Sequence, residues 1–256
     1  MAKLKILDLF SGIGGFSLGL ERTGGFETAA FCEIEPFPRK VLAKHWPSVP
    51  CYNDVRELTA ERLRADGIGP IDVICGGFPC QDISASGASA GIGPETRSGL
   101  YLQFIRLIDE LRPDFAIFEN VARLLSGPKE NNGAWFWRFL DELAKIGYDA
   151  EWHCITAASI GSPHERDRIW VVAYPNSAQF KRGRISCGIY EKHANFSDSC
   201  WGQDKPGVER ASNGLPNQMD RVAACGNAVV PQIPELIGYA ILDAINATKT
   251  IPAKGD

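Results

Sequence analysis

The sequence predicts an α/β fold built on a mostly parallel β-sheet. Short apolar runs rich in β-branched residues alternate along the chain with segments whose apolar residues recur at helical spacing. The first such run, residues 4–10, leads into the glycine-rich stretch 11–15 and then into an apolar-periodic helix over 16–22. A strand, a glycine turn and a helix in this order are typical of the start of a nucleotide-binding α/β domain.

Length and composition indicate an ordinary globular protein. The 256 residues suit one large domain, or one large domain with a small appendage. A content of 45% hydrophobic and 23% charged residues is usual for such a domain. The net charge of −4 gives the chain no overall basic character. Any contact with nucleic acid must therefore come from a local basic face.

The sequence shows no sign of a membrane, a disulfide framework or a metal site. No apolar stretch reaches the ~20 residues that span a bilayer, and the N-terminus has no secretory pattern. The eight cysteines form no CxxC pair, which favours reduced thiols, and the spacing of Cys187, His193 and Cys200 matches no standard zinc pattern. We therefore expect a cytoplasmic protein without a metal.

A second strand and two carboxylates support the nucleotide-type start. The strand over 28–32 ends at Glu33, about 20 residues beyond the glycines, where dinucleotide-type folds place the acid that holds ribose hydroxyls. A helix over 36–45 follows, opened by a proline suited to a first turn. Asp54 then offers another carboxylate at a strand end. Helix N-capping is the alternative role for both acids.

A cysteine follows the predicted central strand. The run 71–75 has the length and β-branched content of a buried strand, which the glycine pair 76–77 is predicted to break. Pro79 fixes the backbone before Cys80, and a loop of small residues, 85–93, could move. Because α/β folds place their chemistry beyond the carboxyl ends of the strands, we expect Cys80 at the active-site edge. A buried or incidental thiol is the alternative.

The next strand brings a carboxylate to the same edge. A helix over 98–111 precedes the short buried strand 115–118, and that strand ends at Glu119. Parallel neighbours end at the same edge of a sheet, so Glu119 is predicted to border the cleft that holds Cys80.

A pair of arginines lies between two strands of a predicted hairpin. An amphipathic helix over 134–146 comes first, followed by the strands 150–157 and 169–173. Arg166 and Arg168 precede the second strand and alternate, which places both side chains on one face.

Composition divides the chain into a main domain and a small insertion. Residues 176–212 are polar, rich in glycine and serine, and hold few apolar runs. The main domain is predicted to comprise 1–175 together with 213–247, closed by a helix over 234–246. Residues 248–256 are predicted to be a loose tail.

Several motifs in this order resemble those of the DNA (cytosine-5) methyltransferases. They are Asp8-Leu-Phe-Ser-Gly-Ile-Gly-Gly15, Gly77-Phe-Pro-Cys-Gln81, Glu119-Asn-Val121, Arg166-x-Arg168 and Gly226-Asn-Ala-Val-Val-Pro231. The resemblance covers residues 4–174 and about 213–240, and the short chain is similar to phage and prophage members. It implies a Rossmann-like S-adenosylmethionine-dependent methyltransferase fold with a mostly parallel sheet. It also implies that 176–212 is a small, reduced target-recognition region.

The resemblance implies a pocket for S-adenosylmethionine, with S-adenosylhomocysteine as the product and no metal. Its lining would comprise Asp8, Phe10, Gly12, Gly14, Gly15, Glu33, Ile34, Asp54, Val55, Pro79, Asn227 and Val229. In that pocket Glu33 would hold the ribose and Asp54 the adenine amino group, while Asn227 and Val229 would close it from the far end of the chain.

The resemblance makes Cys80 the nucleophile that attacks C6 of cytosine. Glu119 would contact N3, and Arg166 and Arg168 would steady the base and the carboxylate. Cytosine C5 is a poor nucleophile, but addition of a thiolate at C6 moves electron density to C5. A free thiol has a pKa of about 8.5, so nearby positive charge must favour the thiolate. A base then removes the C5 proton, and β-elimination frees Cys80.

The implied substrate is double-stranded DNA, whose target base must leave the stack to reach the thiol. The expected DNA contacts are Gln81, Ser84, Arg97, Lys181, Arg182 and Arg184. A cognate restriction endonuclease acting independently is a possible partner, and the protein is expected to be a monomer.

Two departures and two alternatives remain at this stage. His164 stands where the family commonly has glutamine, and the motif that usually precedes the Gly-Asn segment is not found. One alternative is a tRNA cytosine-5 methyltransferase, although the Cys-Phe-Thr segment of that branch is missing. The other is an inactive DNA-binding regulatory homologue, against which the intact Cys80, Glu119 and arginine pair argue.

Overall fold

A computed structural model describes residues 2–78, 100–126, 133–162, 166–178, 184–196, 224 and 226–249. Within these residues the strands are β1 Leu4–Leu9, β2 Phe26–Cys32, β3 Cys51–Tyr52, β4 Val73–Gly77, β5 Phe115–Val121, β6 Tyr148–Thr156 and β7 Asp167–Pro175. They form one sheet in the order β3-β2-β1-β4-β5-β7-β6. The first five strands in this order are parallel, and β7 and β6 are antiparallel to their neighbours, which confirms a mostly parallel α/β sheet.

Helices alternate with the strands. In the described residues they are α1 Gly15–Arg22, α2 Pro36–His45, α3 Ala60–Ala65, α4 Tyr101–Leu111, α5 Ala134–Lys145, α6 Arg184–Phe196 and α7 Gln232–Lys249. Short 3₁₀ turns follow β5 at Ala122–Leu125 and β6 at Ala158–Ile160. None of these helices combines the length and the apolar character that crossing a membrane requires.

The helices pack on the two faces of the sheet and enclose two apolar clusters. Successive residues of β1 point to opposite clusters: Leu7 packs with Phe104 of α4, and Ile6 packs with Ile237 of α7. Helices α3, α4 and α5 cover the first face, while α1, α6 and α7 cover the second. Burial on both faces explains why these strands are apolar runs without alternation.

The order of strands reverses between β1 and β4, the point where open α/β sheets bind ligands. The glycine turn follows β1, and Phe78 follows β4 at the same edge. These two stretches therefore border one crevice beyond the carboxyl ends of the strands. Cys80, two residues further along, lies outside the described residues.

The sequence predicted that the glycine pair 76–77 breaks the strand. In the structure, these two glycines are instead the last two residues of β4. Gly76 pairs with Leu9 on one side and with Phe118 on the other. A Cβ atom on Gly76 would lie 2.1 Å from the carbonyl oxygen of Leu9. These glycines therefore serve close backbone approach within the sheet rather than a turn.

The second half of the chain contains more helix than the sequence indicated. Helix α6 falls within the polar stretch 176–212, and Ile185 and Ile189 bury its apolar side in the same cluster as α7. Helix α7 continues to Lys249, so it includes the first residues of the predicted tail. The hairpin of β6 and β7 is present as predicted.

The contact at Gly76 gives a first prediction. Gly76→Ala should lower the free energy of unfolding by about 1–3 kcal/mol or more, because the new methyl group must displace the backbone of β1. Gly69→Ala is the matched control, since Gly69 has a negative φ and open space around its Cβ position. Urea denaturation measures both variants, and equal stability of the two would contradict the close approach.

Candidate active site

The turn after β1 leaves one side open. Gly12 and Gly14 have φ angles of 53° and 86°, in the left-handed region that glycine adopts most easily. A Cβ atom at Gly12 would meet no described atom within 4 Å. Phe10, half-buried against the core, also has a positive φ of 52°. Because α1 begins at Gly15, free N–H groups and the positive end of the helix dipole lie at this turn.

Asp8 lies beneath the turn, away from solvent. It is 0% exposed, and its Oδ2 atom accepts hydrogen bonds from Ser17 Oγ at 2.8 Å and from Ser17 N at 3.3 Å. Burial raises the pKa of Asp8 to about 8, although the hydrogen bonds from Ser17 act in the opposite direction. The described contacts of Asp8 therefore tie β1 to the first turn of α1 and hold the glycine turn between them.

Glu33 holds the turn from the other side. Its Oε2 atom accepts from Gly12 N at 2.7 Å, and its Oε1 atom accepts from Glu35 N at 2.8 Å. Arg39 donates to the carbonyl oxygens of Glu33 and Cys51, both at 3.1 Å, and so fixes the end of β2. The Glu33 carboxylate is thus oriented by the backbone at the carboxyl edge, beside the exposed side chain of Ile34.

Asp54 borders a cleft of about 280 Å³ at the end of β3. Arg56 forms a forked ion pair with its carboxylate, with Nη2 at 2.5 Å from Oδ2 and Nε at 2.9 Å from Oδ1. Hydrogen bonding from Arg56 lowers the pKa of Asp54, so the group is an anion at neutral pH. Val55, predicted to line the pocket, is buried in the core behind the cleft.

The far end of the chain reaches the glycine turn at Val229. A Cβ atom on Gly15 would lie 2.5 Å from the carbonyl oxygen of Val229. Asn227 is exposed next to this contact. Arg166 Nη1 donates to the carbonyl oxygen of Gly226 at 2.5 Å and so ties the same segment to the sheet.

Glu119 forms the centre of the carboxyl edge between β4 and β5. Its carboxylate lies over Gly77, where a Cβ atom would be 2.9 Å from Oε2. Arg168 Nε is 2.8 Å and Arg166 Nη2 is 3.9 Å from Oε1, so both predicted arginines meet this acid. Burial raises the pKa of Glu119 despite the opposing charges of Arg168 and Arg166. Burial and the two neighbouring cations thus act on the pKa of Glu119 in opposite directions, and burial has the larger effect.

Asn120 ties the end of β5 to the chain that leads to the cysteine. It is 3% exposed, and its Nδ2 atom donates to the carbonyl oxygen of Phe78 at 3.1 Å. Its Oδ1 atom accepts from Val121 N at 2.9 Å, which fixes the side-chain amide. This bond therefore fixes Phe78, the last described residue before Cys80, against β5.

Some predicted site residues lie outside the part of the chain that the structure describes. They are Pro79, Cys80, Gln81, Ser84, Arg97, Lys181 and Arg182. Arg184 begins α6, and its side chain is not described. The roles of all these residues stay predictions. No group of three described His, Cys, Asp or Glu residues is placed to hold a metal ion.

Sequence reasoning assigned no role to Ser17 or to the side chain of Asn120. Ser17 is one of several small residues after the glycine turn, and nothing local marks it as the partner of Asp8. Asn120 belongs to a recognised motif, but its partner Phe78 is 42 residues away. Only the pairing of β4 with β5 brings the two together.

The sheet order, the glycine turn and the acid that ends β2 define a Rossmann-like methyltransferase fold of the S-adenosylmethionine-dependent class. The crystal structure of a protein assigned as a DNA modification methyltransferase, encoded within a prophage of E. coli, matches with a TM-score of 0.58 and 31% identity. That match covers 70% of this chain and 49% of the E. coli chain.

The chain belongs to the C-5 cytosine-specific DNA methylase family, whose model matches residues 4–215. Type II methyltransferase M2.BsuMI of Bacillus subtilis is 30% identical over 88% of this chain and 57% of its own length. Type II methyltransferase M.Sau3AI of Staphylococcus aureus is 34% identical over 71% of this chain and 46% of its own. The chain thus spans about half the length of these relatives.

Burial of Asp8 gives a prediction about pH. The native pKa of about 8 exceeds the ordinary value of 3.8, so the native state keeps a proton that the unfolded state loses. Stability should fall as pH rises between these values, with a slope of about 1.4 kcal/mol per pH unit from this group. Asp8→Asn mimics the protonated form and should remove that slope.

Chemical denaturation from pH 5 to pH 8 measures the difference between the wild type and Asp8→Asn. The control is Asp72→Asn. Asp72 directly precedes β4 and accepts a hydrogen bond from Lys5 N at the start of β1. A pH dependence of Asp8→Asn as steep as that of the wild type would contradict a proton held on Asp8.

Proposed function

We propose that the protein is a DNA (cytosine-5) methyltransferase that methylates C5 of a flipped-out cytosine through a transient bond between Cys80 and C6. The observation that carries the proposal is the buried carboxyl group of Glu119, which lies over Gly77 with Arg168 at 2.8 Å. An acid with a raised pKa beside the strand that leads to a cysteine suits proton donation to a base attacked by a thiolate.

The residues at the glycine turn fit S-adenosylmethionine. The open side at Gly12 admits a ligand, and free N–H groups at the start of α1 favour its carboxylate. Glu33 is oriented for ribose hydroxyls, and Asp54 would accept from the adenine amino group in the adjacent cleft. Ile34, next to Glu33 in the sequence, offers exposed apolar surface. When bound, S-adenosylmethionine supplies an electrophilic methyl group, and S-adenosylhomocysteine is left.

The reaction begins with addition of the Cys80 thiolate to C6, which breaks the C5–C6 double bond. Glu119 donates its proton to N3, so that negative charge does not build up on the ring, and Arg168 and Arg166 hold the carboxyl group in place. C5 then takes the methyl group. A base removes the C5 proton, the double bond re-forms and expels Cys80 as the thiolate, and the proton on N3 returns to Glu119.

The proposed substrate is double-stranded DNA, from which the target cytosine rotates out of the stack. We assign Gln81, Ser84 and Arg97 to contacts beside the flipped base. Lys181, Arg182 and Arg184 would contact phosphates from the recognition stretch 176–212. We further propose that the protein acts as a monomer and independently of any cognate restriction endonuclease. It would act on the DNA of a prokaryotic or phage-infected cell.

Loss of the thiol tests the proposal directly. Cys80→Ala should lower turnover by at least about 10³-fold, because the ring is no longer activated, while S-adenosylhomocysteine binds as before. Transfer of label from S-adenosylmethionine to DNA measures turnover, and calorimetry measures binding. Cys187→Ala, an exposed thiol on α6, is the matched control. Substantial methylation by Cys80→Ala would refute the mechanism.

The same experiment gains a direct readout with DNA that carries 5-fluorocytosine. Fluorine cannot leave as the C5 proton does, so the wild type should accumulate a stable adduct at Cys80 that mass spectrometry detects. No adduct at Cys80 in an enzyme that methylates ordinary DNA would argue against the covalent route. Repeating the methylation assay with tRNA in place of DNA shows which of the two nucleic acids is the substrate.

The raised pKa of Glu119 predicts how turnover depends on pH. Turnover needs the protonated acid, so kcat should fall as pH rises through the elevated pKa of Glu119. Glu119→Gln keeps the shape without the proton, and should lose about 10²–10⁴ in kcat together with the alkaline fall. The acidic limb, set by the Cys80 thiol, should remain. An unchanged alkaline fall in Glu119→Gln would assign it to another group.

A further inference from the structure

The indole of Trp46 lies against the glycine turn. Trp46 follows α2, and its ring atoms Cζ3 and Cη2 would lie 2.7 and 2.8 Å from a Cβ atom at Gly14. Phe31 of β2 packs edge-on against the same ring, with 5.3 Å between centroids. The indole therefore occupies the space beside Gly14 and presses on the residue that caps α1.

A carboxylate holds this ring in place. Trp46 Nε1 donates to Glu21 Oε2 at 3.0 Å. Glu21 is in turn fixed by β2, because its Oε1 atom accepts from Thr28 N at 2.9 Å and from Thr28 Oγ1 at 2.6 Å. Three hydrogen bonds thus fix the two oxygen atoms of Glu21, and this acid in turn orients the indole. This series of contacts links β2 to Glu21 of α1, Glu21 to Trp46, and Trp46 to Gly14.

These contacts end at the glycine turn, and their position there indicates a function. Gly14 has a φ of 86° and Gly12 one of 53°, so both residues adopt left-handed backbone conformations. Glycine has wide conformational freedom, so these two residues alone do not fix the shape of the turn. Asp8 and Glu33 hold its two flanks. The indole supports Gly14 itself, directly before the free N–H groups of α1. A ligand that uses these groups gains affinity when the turn is held beforehand.

We infer that Trp46, oriented by Glu21, is a positioning residue that holds the glycine turn in its cofactor-binding shape. This inference rests on the proposed function, since it names a determinant of S-adenosylmethionine affinity. The alternative is a purely structural role of the indole in packing α2 against the sheet. That role changes stability without separating cofactor affinity from turnover.

The test uses Glu21→Gln in the full-length protein. The amide can still accept from Thr28, but its NH₂ group cannot accept from Trp46 Nε1, so the change releases the indole without creating a cavity. Calorimetry should show S-adenosylhomocysteine bound about tenfold more weakly, the scale of one hydrogen bond to a charged group. KM for S-adenosylmethionine should rise by the same factor, and kcat at saturation should stay within about twofold.

Trp46→Phe supplies the second arm and Trp137→Phe its control. The phenyl ring lacks the N–H group and does not reach Gly14, so the loss of affinity should equal or exceed that of Glu21→Gln. In this background Glu21→Gln should add little, because the group it orients is gone. Trp137 is 65% exposed on α5, and its replacement should leave affinity unchanged.

Amide hydrogen exchange separates the inference from the proposed function. Both variants should speed exchange at residues 11–17, with the melting temperature close to that of the wild type, whether or not a cofactor binds. Unchanged exchange and affinity in Glu21→Gln and Trp46→Phe would overturn the inference. Faster exchange at the turn in a protein whose wild type binds no S-adenosylhomocysteine would support the positioning while refuting the proposed function.

Discussion

The carboxylate of Glu119 lies on the backbone of Gly77, and the arrangement of the active-site edge depends on this contact. Any larger residue at position 77 would push the acid out, since a Cβ atom there would be 2.9 Å from Oε2. Arg168 and Arg166 approach from β7 and the residue before it. Arg166 also binds the carbonyl oxygen of Gly226, so one ion-pair cluster joins β5, β7 and the returning end of the chain. Removing one partner of such a buried cluster leaves an uncompensated charge, which costs several kcal/mol.

Close backbone approach recurs at two glycines near the turn after β1. Gly76 lies against Leu9 within the sheet, and Gly15 lies against Val229. The second contact sets α1 directly on the segment that leads into α7, and the apolar cluster around Ile237 then buries both helices. The last helix is therefore part of the wall that supports the glycine turn. This explains how segments more than 200 positions apart in the sequence meet at the glycine turn.

Local signals predicted the strands, most helices and the places of Glu33, directly after β2, and Glu119, near the end of β5. Periodicity, β-branching and strand ends depend on neighbouring residues. The glycine pair 76–77 was assigned wrongly to a strand break. A glycine that permits a turn and one that permits a close contact look alike in sequence, and only the register with Leu9 and Glu119 separates them. The bonds of Asn120 to Phe78 and of Trp46 to Glu21 also depend on pairing between distant segments, so spacing could not reveal them.

Burial and two cations act on the pKa of Glu119 in opposite directions, and this balance suits the proposed chemistry. Burial raises the pKa of the acid and outweighs the two arginine charges that lower it. In water, the same two arginines would keep the carboxyl group ionised, and an ionised group cannot donate a proton. Inside the site, Arg168 can accompany the carboxyl group at Oε1 while Oε2, over Gly77, faces the strand that leads to Cys80. Charge thus orients the acid, while burial raises its pKa. A base that gains negative charge upon attack by sulfur needs both of these properties from one side chain.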